Sequence, residues 1–187
     1  MLFRSQPLGP FLSKSFATSI GPWVVTFAAL APFQARAYAR PDSDPQPLPY
    51  LLDPHDQQHG GFTISVEVRI HSTAMRAANL PPHLLSRGPM DRMYWTLAQI
   101  VAHHTSNGCN LRPGDLIASG TISGPGNGEQ GCLLELTRAG REPVLLPDGE
   151  NRSFLADGDE ITIMAYAKRA GFRRIGFGTC CGRVALG

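Results

Sequence analysis

Phe62-Thr63-Ile64-Ser65-Val66-Glu67-Val68-Arg69-Ile70 decides the fold class. Apolar side chains at Phe62, Ile64, Val66, Val68 and Ile70 alternate with polar ones. That is the period of a strand, whose successive side chains point to opposite faces. One face is apolar and the other polar, as a half-exposed antiparallel strand requires. Outward from it, Val144-Leu145-Leu146, Ser153-Phe154-Leu155, Ile161 to Ala167 and Arg174 to Phe177 read as further strands. Asp148-Gly149 and Asp157-Gly158 mark turns between them. Asp157-Gly158-Asp159-Glu160 lacks the spacing of a calcium loop and reads as a charged hairpin turn. Pro22-Trp23-Val24-Val25 reads as a brief buried strand.

One segment has helical spacing. Met90, Met93, Tyr94, Leu97, Ile100, Val101 and His104 fall on one stripe. Asp91 suits the first turn of such a helix, and Asn107-Gly108 supplies its stop. Thr26 to Leu30 suggests a helical turn ended by Pro32, and Ala74 to Pro82 a short turn or edge segment. The expected fold is therefore mainly β (α+β): mixed β-sheets forming a β-roll or sandwich, with one longer helix at about 90–106.

The 187 residues suit one domain, large enough for a real core. Charged residues make up 17%, below the usual ~25%. Glycine (20) and proline (16) are abundant, which favours a loop-rich β protein over a helix bundle. The net charge of +2 and the short Lys168-Arg169 and Arg173-Arg174 pairs describe solvated turns, with no nucleic-acid partner. Cys109, Cys132, Cys180 and Cys181 include no Cys-x-x-Cys pair and read as reduced thiols of a cytoplasmic protein. The longest apolar run, Val24 to Phe33, is too short to span a bilayer and contains a proline, so no membrane partner is expected.

Residues 35–61 are rich in proline, aspartate, glutamine and histidine and read as a surface excursion within the domain. His55 and His59 have the i, i+4 spacing of a ligand pair. Pro54 and Gly60-Gly61 argue that no helix holds them in register, so solvated histidines are the expectation.

The stretch from Asn107 to Leu136 carries the chemistry. Arg112-Pro113-Gly114-Asp115 is a turn. Ser119-Gly120-Thr121-Ile122-Ser123-Gly124 is rich in hydroxyls and glycine, and such a segment brings backbone N–H groups and hydroxyls close to a carboxylate or phosphate. Beyond the glycine-rich loop, Cys132 to Thr137 reads as a strand holding Glu135 between Leu134 and Leu136. A carboxylate flanked by apolar residues is a candidate general base.

These segments resemble a known family. Asn107 to Gly124, with Tyr94-Trp95-Thr96, His103-His104, Asp157-Gly158-Asp159-Glu160 and Ile175-Gly176-Phe177-Gly178, is similar to the C-terminal part of the catalytic domain of the fumarylacetoacetase family. The resemblance covers 7–187 and leaves 1–6 as a non-matching start. It implies a β-rich domain and hydrolysis of the carbon–carbon bond of 4-fumarylacetoacetate, in tyrosine and phenylalanine breakdown. It further implies a homodimer and a site holding Mg2+ or Ca2+. Residue by residue, it implies that Glu135 activates water and that Thr121 contacts the substrate's far carboxylate. Lys14, in Gly9-Pro10-Phe11-Leu12-Ser13-Lys14-Ser15-Phe16, matches the family's oxyanion-hole lysine at the magnesium site, and Thr18 the threonine beside it. Trp23, Tyr94-Trp95 and the 35–61 excursion favour this family over a related hydrolase or decarboxylase of the same superfamily.

The sequence also departs from the pattern. The family carries Asp, Arg, Gln and Tyr just upstream of the segment matched by Gly9-Pro10, and neither Arg4 nor Gln6 stands at that spacing. The family's catalytic histidine and remaining metal carboxylates have no counterpart here. The expectation is that the chain is inactive alone: either a catalytically inactive fragment, or one half of a split enzyme whose separate partner chain supplies the missing groups.

Overall fold

The computed structural model describes residues 18–185. Its centre is an antiparallel sheet of four strands, β3 (Ile64–His71), β4 (His83–Pro89), β7 (Glu160–Ala167) and β8 (Ile175–Arg183), in the order β4-β3-β7-β8. Two small ribbons flank it. β1 (Gln34–Ala35) pairs with β2 (Gly61–Phe62), and β5 (Val144–Leu145) with β6 (Asn151–Arg152). Among the described residues there are five short α-helices: α1 (Phe27–Leu30), α2 (Pro54–His59), α3 (Thr73–Ala77), α4 (Leu97–Thr105) and α5 (Leu133–Leu136). The fold is mainly β within the α+β class, as the strand periods predict.

The quoted strand becomes β2 and β3. Phe62, Ile64 and Ile70 are buried. Phe62 and Ile64 join Leu30, Phe33 and Ala167 in one apolar cluster; Ile70 joins Met75, Leu85 and Leu146 in a second. The polar face is not wholly solvated. Glu67, facing Arg87 on β4 and Met164 on β7, is only 7% exposed. Arg87 lies 2.8 Å from one of its carboxylate oxygens and Arg69 3.3 Å from the other. Burial pushes this carboxyl up, but the hydrogen bonds of Arg69 and Arg87 outweigh it and hold it below the ordinary glutamate value.

Several elements differ from the sequence reading. The long helix is shorter: Met90–Arg92 is a 3-10 turn, Met93 is extended, and α4 begins at Leu97. Thr96 starts it, with extended backbone, a side chain accepting the Gln99 N–H, and the Gln99 side chain returning to the Thr96 N–H. This reciprocal capping box fixes the boundary. Pro22 to Val25 forms no strand: Trp23 and Val24 are 72% and 89% exposed, and the Trp23 ring lies over Gly178 of β8. Residues 35–61 are not a bare excursion, because β1 and β2 close its ends and α2 stands inside it. Asp53 caps α2 by accepting the Asp56 N–H at 2.8 Å, and proline is tolerated at the first helical position, where its missing N–H is not needed. Ala74 to Pro82 begins inside α3, which is capped by Ser72. Ser153-Phe154-Leu155 is no strand, since β6 ends at Arg152, and the last strand runs on to Arg183.

Candidate functional site

Cys132 to Thr137 is not a strand. Leu133–Leu136 is one helical turn, α5, with Leu136 N–H bonded to Cys132 O at 3.0 Å and Thr137 N–H to Leu133 O at 2.8 Å. Leu-Leu-Glu-Leu has helix propensity and no β-branched residue. Helical spacing sends Leu133 and Leu136 together onto the Ile70–Met75 cluster and turns Leu134 and Glu135 outward. The turn ends where Arg138 and Ala139 take positive φ.

The hydroxyl-rich segment meets this turn. Ser123 Oγ accepts the Gly131 N–H at 3.0 Å and donates its hydrogen to Glu135 Oε2 at 2.5 Å. The hydroxyl-rich segment thus holds a carboxylate of the chain itself, that of Glu135. The sequence reading passed over Ser123 itself, although the serine stood within the segment it singled out.

Two glycines permit this approach. A Cβ on Gly131 would meet the Ile122 carbonyl and the Thr121 methyl, and one on Gly88 of β4 would stand 2.6 Å from the same carbonyl. The loop between Gly124 and Gly131 is tied to itself and to the sheet. Gly124 N–H bonds Glu129 O at 3.0 Å, Glu129 Oε2 accepts the Gly126 N–H at 2.9 Å, and Gly128 O accepts the Arg87 N–H at 2.7 Å. The sheet edge thus positions Thr121, Ser123 and, through α5, Glu135. Beside this corner, Gly131, Cys132, Leu133 and Leu136 face Val68, Leu85 and Phe154 across a largely apolar cleft of about 330 Å³.

Of the residues singled out in the sequence, Thr121 and Glu135 therefore meet at one corner, linked through Gly131 and Ser123. Both are exposed. Thr18 is exposed at the first described position, and Lys14 lies outside the described residues. No group of three or more His, Cys, Asp or Glu that could hold a metal ion occurs among the described residues. A hard cation takes about six oxygen ligands. The single hydroxyl of Thr18 does not make such a site, so the described residues do not fit Mg2+ or Ca2+.

The sequence that builds this corner has counterparts among known proteins. The family profile described as fumarylacetoacetate (FAA) hydrolase C-terminal matches residues 1–185, and the chain belongs to that hydrolase family. It is 48% identical over 178 residues to the fumarylacetoacetases of Bos taurus and Homo sapiens, covering 95% of this chain. It is 46% identical to that of Arabidopsis thaliana over the same length. The chain spans about 40% of the length of these relatives. Among the described residues, no helix is long and apolar enough to cross a membrane.

Proposed function

We propose that this chain forms the C-terminal wall, over 7–187, of a metal-dependent hydrolase that cleaves 4-fumarylacetoacetate to fumarate and acetoacetate. One observation carries the reading: Glu135 is fixed through Oε2 by the Ser123 hydroxyl. This leaves Oε1 to take a proton from water. The activated water adds to the ketone carbon. The carbon–carbon bond then breaks, its electron pair passes to the acetoacetate fragment as an enolate, and that carbon is protonated.

In this reading Thr121 orients the substrate's far carboxylate and Lys14 donates to the oxyanion. Lys14 and Thr18 would lie nearest a bound magnesium or calcium ion, whose carboxylate ligands would come from outside this chain's described residues. A positioned general base contributes about 10²–10⁴ in rate. The oxyanion donors add about 3 kcal/mol each.

Assembly with further polypeptide, as a homodimer or with a separate chain supplying the missing groups, is part of the proposal. The exposed Trp23, Val24 and Leu116 (72%, 89% and 69%) support it. Free thiols at Cys109, Cys132, Cys180 and Cys181 suit a reducing, cytoplasmic compartment.

The test is hydrolysis by the chain alone and after coexpression with the upstream portion of a relative. Turnover absent in the first case, restored in the second and abolished again by Glu135→Gln with substrate binding kept supports the reading. Restored turnover that Glu135→Gln leaves unchanged removes Glu135 from the mechanism.

A further inference from the structure

We infer that His55 and His59, one turn apart on α2, form a binding site for a borderline divalent transition-metal ion such as zinc(II), distinct from the hard-cation site proposed above. The expectation that no helix holds these residues in register fails on Asp53 and Pro54, which start one. Spacing of i, i+4 puts two helical side chains on the same face. The two rings stand with centroids 4.7 Å apart and planes inclined at 42°.

That separation leaves room for one ion bound by a nitrogen of each ring. An imidazole nitrogen sits about 2.0–2.1 Å from zinc, with the ring centre about 1.1 Å behind it, so each centroid lies about 3.2 Å from the metal. Two centroids 4.7 Å apart then subtend about 95° at the ion, between square-planar and tetrahedral angles. Imidazole nitrogen selects zinc, copper and nickel over magnesium and calcium.

Among the described residues no third His, Cys, Asp or Glu completes a metal-holding group with them. Asp53 is occupied as the helix cap, and Asp56 Oδ2 accepts the Thr96 hydroxyl at 2.7 Å. Both histidines are exposed, so water fills the remaining positions. The pair lies at a cavity of about 380 Å³ that Tyr50, Phe62 and Leu97 also line. An ion held there staples one turn of a six-residue helix. Through Asp56 and Thr96 that helix joins the start of α4. The other histidines with side-chain partners are engaged elsewhere: His71 with Leu80 O, His103 with the Tyr50 hydroxyl, and His104 with Cys109 Sγ at 3.3 Å.

The test is titration of the whole chain with zinc(II), followed by calorimetry, and with cobalt(II), followed by absorption. One ion is expected per chain, and far-UV circular dichroism checks that the surface variants keep the fold. Because a chelate becomes a single-ligand site, His55→Gln or His59→Gln is expected to weaken binding about a hundredfold. Cys109→Ser is expected to leave binding unchanged, and the cobalt complex to lack a thiolate charge-transfer band. Absence of binding, or parent-like affinity in both histidine variants, overturns the proposal. So does a thiolate band lost in Cys109→Ser, which moves the ion to the Cys109–His104 pair.

Discussion

Ser123 Oγ lies 2.5 Å from Glu135 Oε2, and the Gly131 amide fixes the direction of that bond by donating to the same oxygen. The serine has one hydrogen, and with the amide on a lone pair it goes to the carboxylate. Glu135 is otherwise on an exposed turn, so this single contact sets where its free oxygen points.

Ser123→Ala is therefore expected to act on rate more than on stability. At an exposed site water replaces the lost partner, and unfolding free energy changes by about 1 kcal/mol or less. In the reconstituted enzyme kcat falls about tenfold with KM unchanged, as for a group needed only in the transition state. Ser123→Thr keeps the hydroxyl and restores kcat. A kcat equal to the parent's in Ser123→Ala removes the serine from the site.

Gly131 and Gly88 face the same obstacle, the Ile122 carbonyl. Either glycine-to-alanine change forces that strand of loop aside, at about 1–3 kcal/mol in urea denaturation. The double variant is expected to cost less than the sum, because one displacement relieves both contacts. Strict additivity would show that the two glycines act on separate features.

How far the sequence disclosed this fold depends on how local each signal was. β3 and β7 were legible because their period of two is written in consecutive residues. α5 was misread because Leu134 and Leu136 flank Glu135 as a strand would, whereas the packing partners are Leu133 and Leu136. Thr96 was quoted in the sequence only as part of Tyr94-Trp95-Thr96, while the apolar stripe from Met90 hid its role as the start of α4. β4 was missed because His83 to Pro89 has no clean alternation. Burial of Glu67 could not be read locally at all, since Arg87, which covers it, is 20 residues away. The Ser123–Glu135 corner was half legible: both segments were singled out, but their union depends on two glycines that let the backbones approach.

Thr96 offers a direct check on the α4 boundary. It caps Gln99, donates to Asp56 at 2.7 Å and is 6% exposed. Thr96→Ala is expected to cost about 1–2 kcal/mol of unfolding free energy, with helical dichroism reduced. Thr96→Ser keeps both bonds and recovers most of the loss. A helix truly starting at Met90 would be indifferent to either change.

Glu67 ties stability to acid. Its folded-state pKa lies below the ordinary value, so the unfolded chain takes up the proton first. The stabilisation from the Arg69–Glu67–Arg87 cluster is fully present above the unfolded glutamate pKa of about 4.3. It fades as pH falls through the lowered folded value. Denaturation midpoints measured between pH 7 and pH 3 should drop more steeply for the parent than for Glu67→Gln, which cannot titrate. Parallel profiles would mean that Glu67 does not sense its arginines.

Asp159 is fully buried, with a carboxylate held by Arg152 Nε at 2.9 Å, Arg152 Nη2 at 3.2 Å and the Ala156 N–H at 2.9 Å. The same fork raises the Arg152 guanidinium above its ordinary pKa through the Asp159 hydrogen bond, which outweighs burial. Arg152→Met removes the cation and leaves a buried carboxylate without its counter-charge, a loss of about 3–5 kcal/mol. Adding Asp159→Asn removes the orphaned charge, and stability measured by urea denaturation is expected to recover by more than half. The Ala156 amide still finds an oxygen acceptor on asparagine, so the turn from Ala156 to Asp159 survives. If the double variant is as unstable as Arg152→Met alone, the damage lies in lost packing around the arginine stem and not in the unpaired charge.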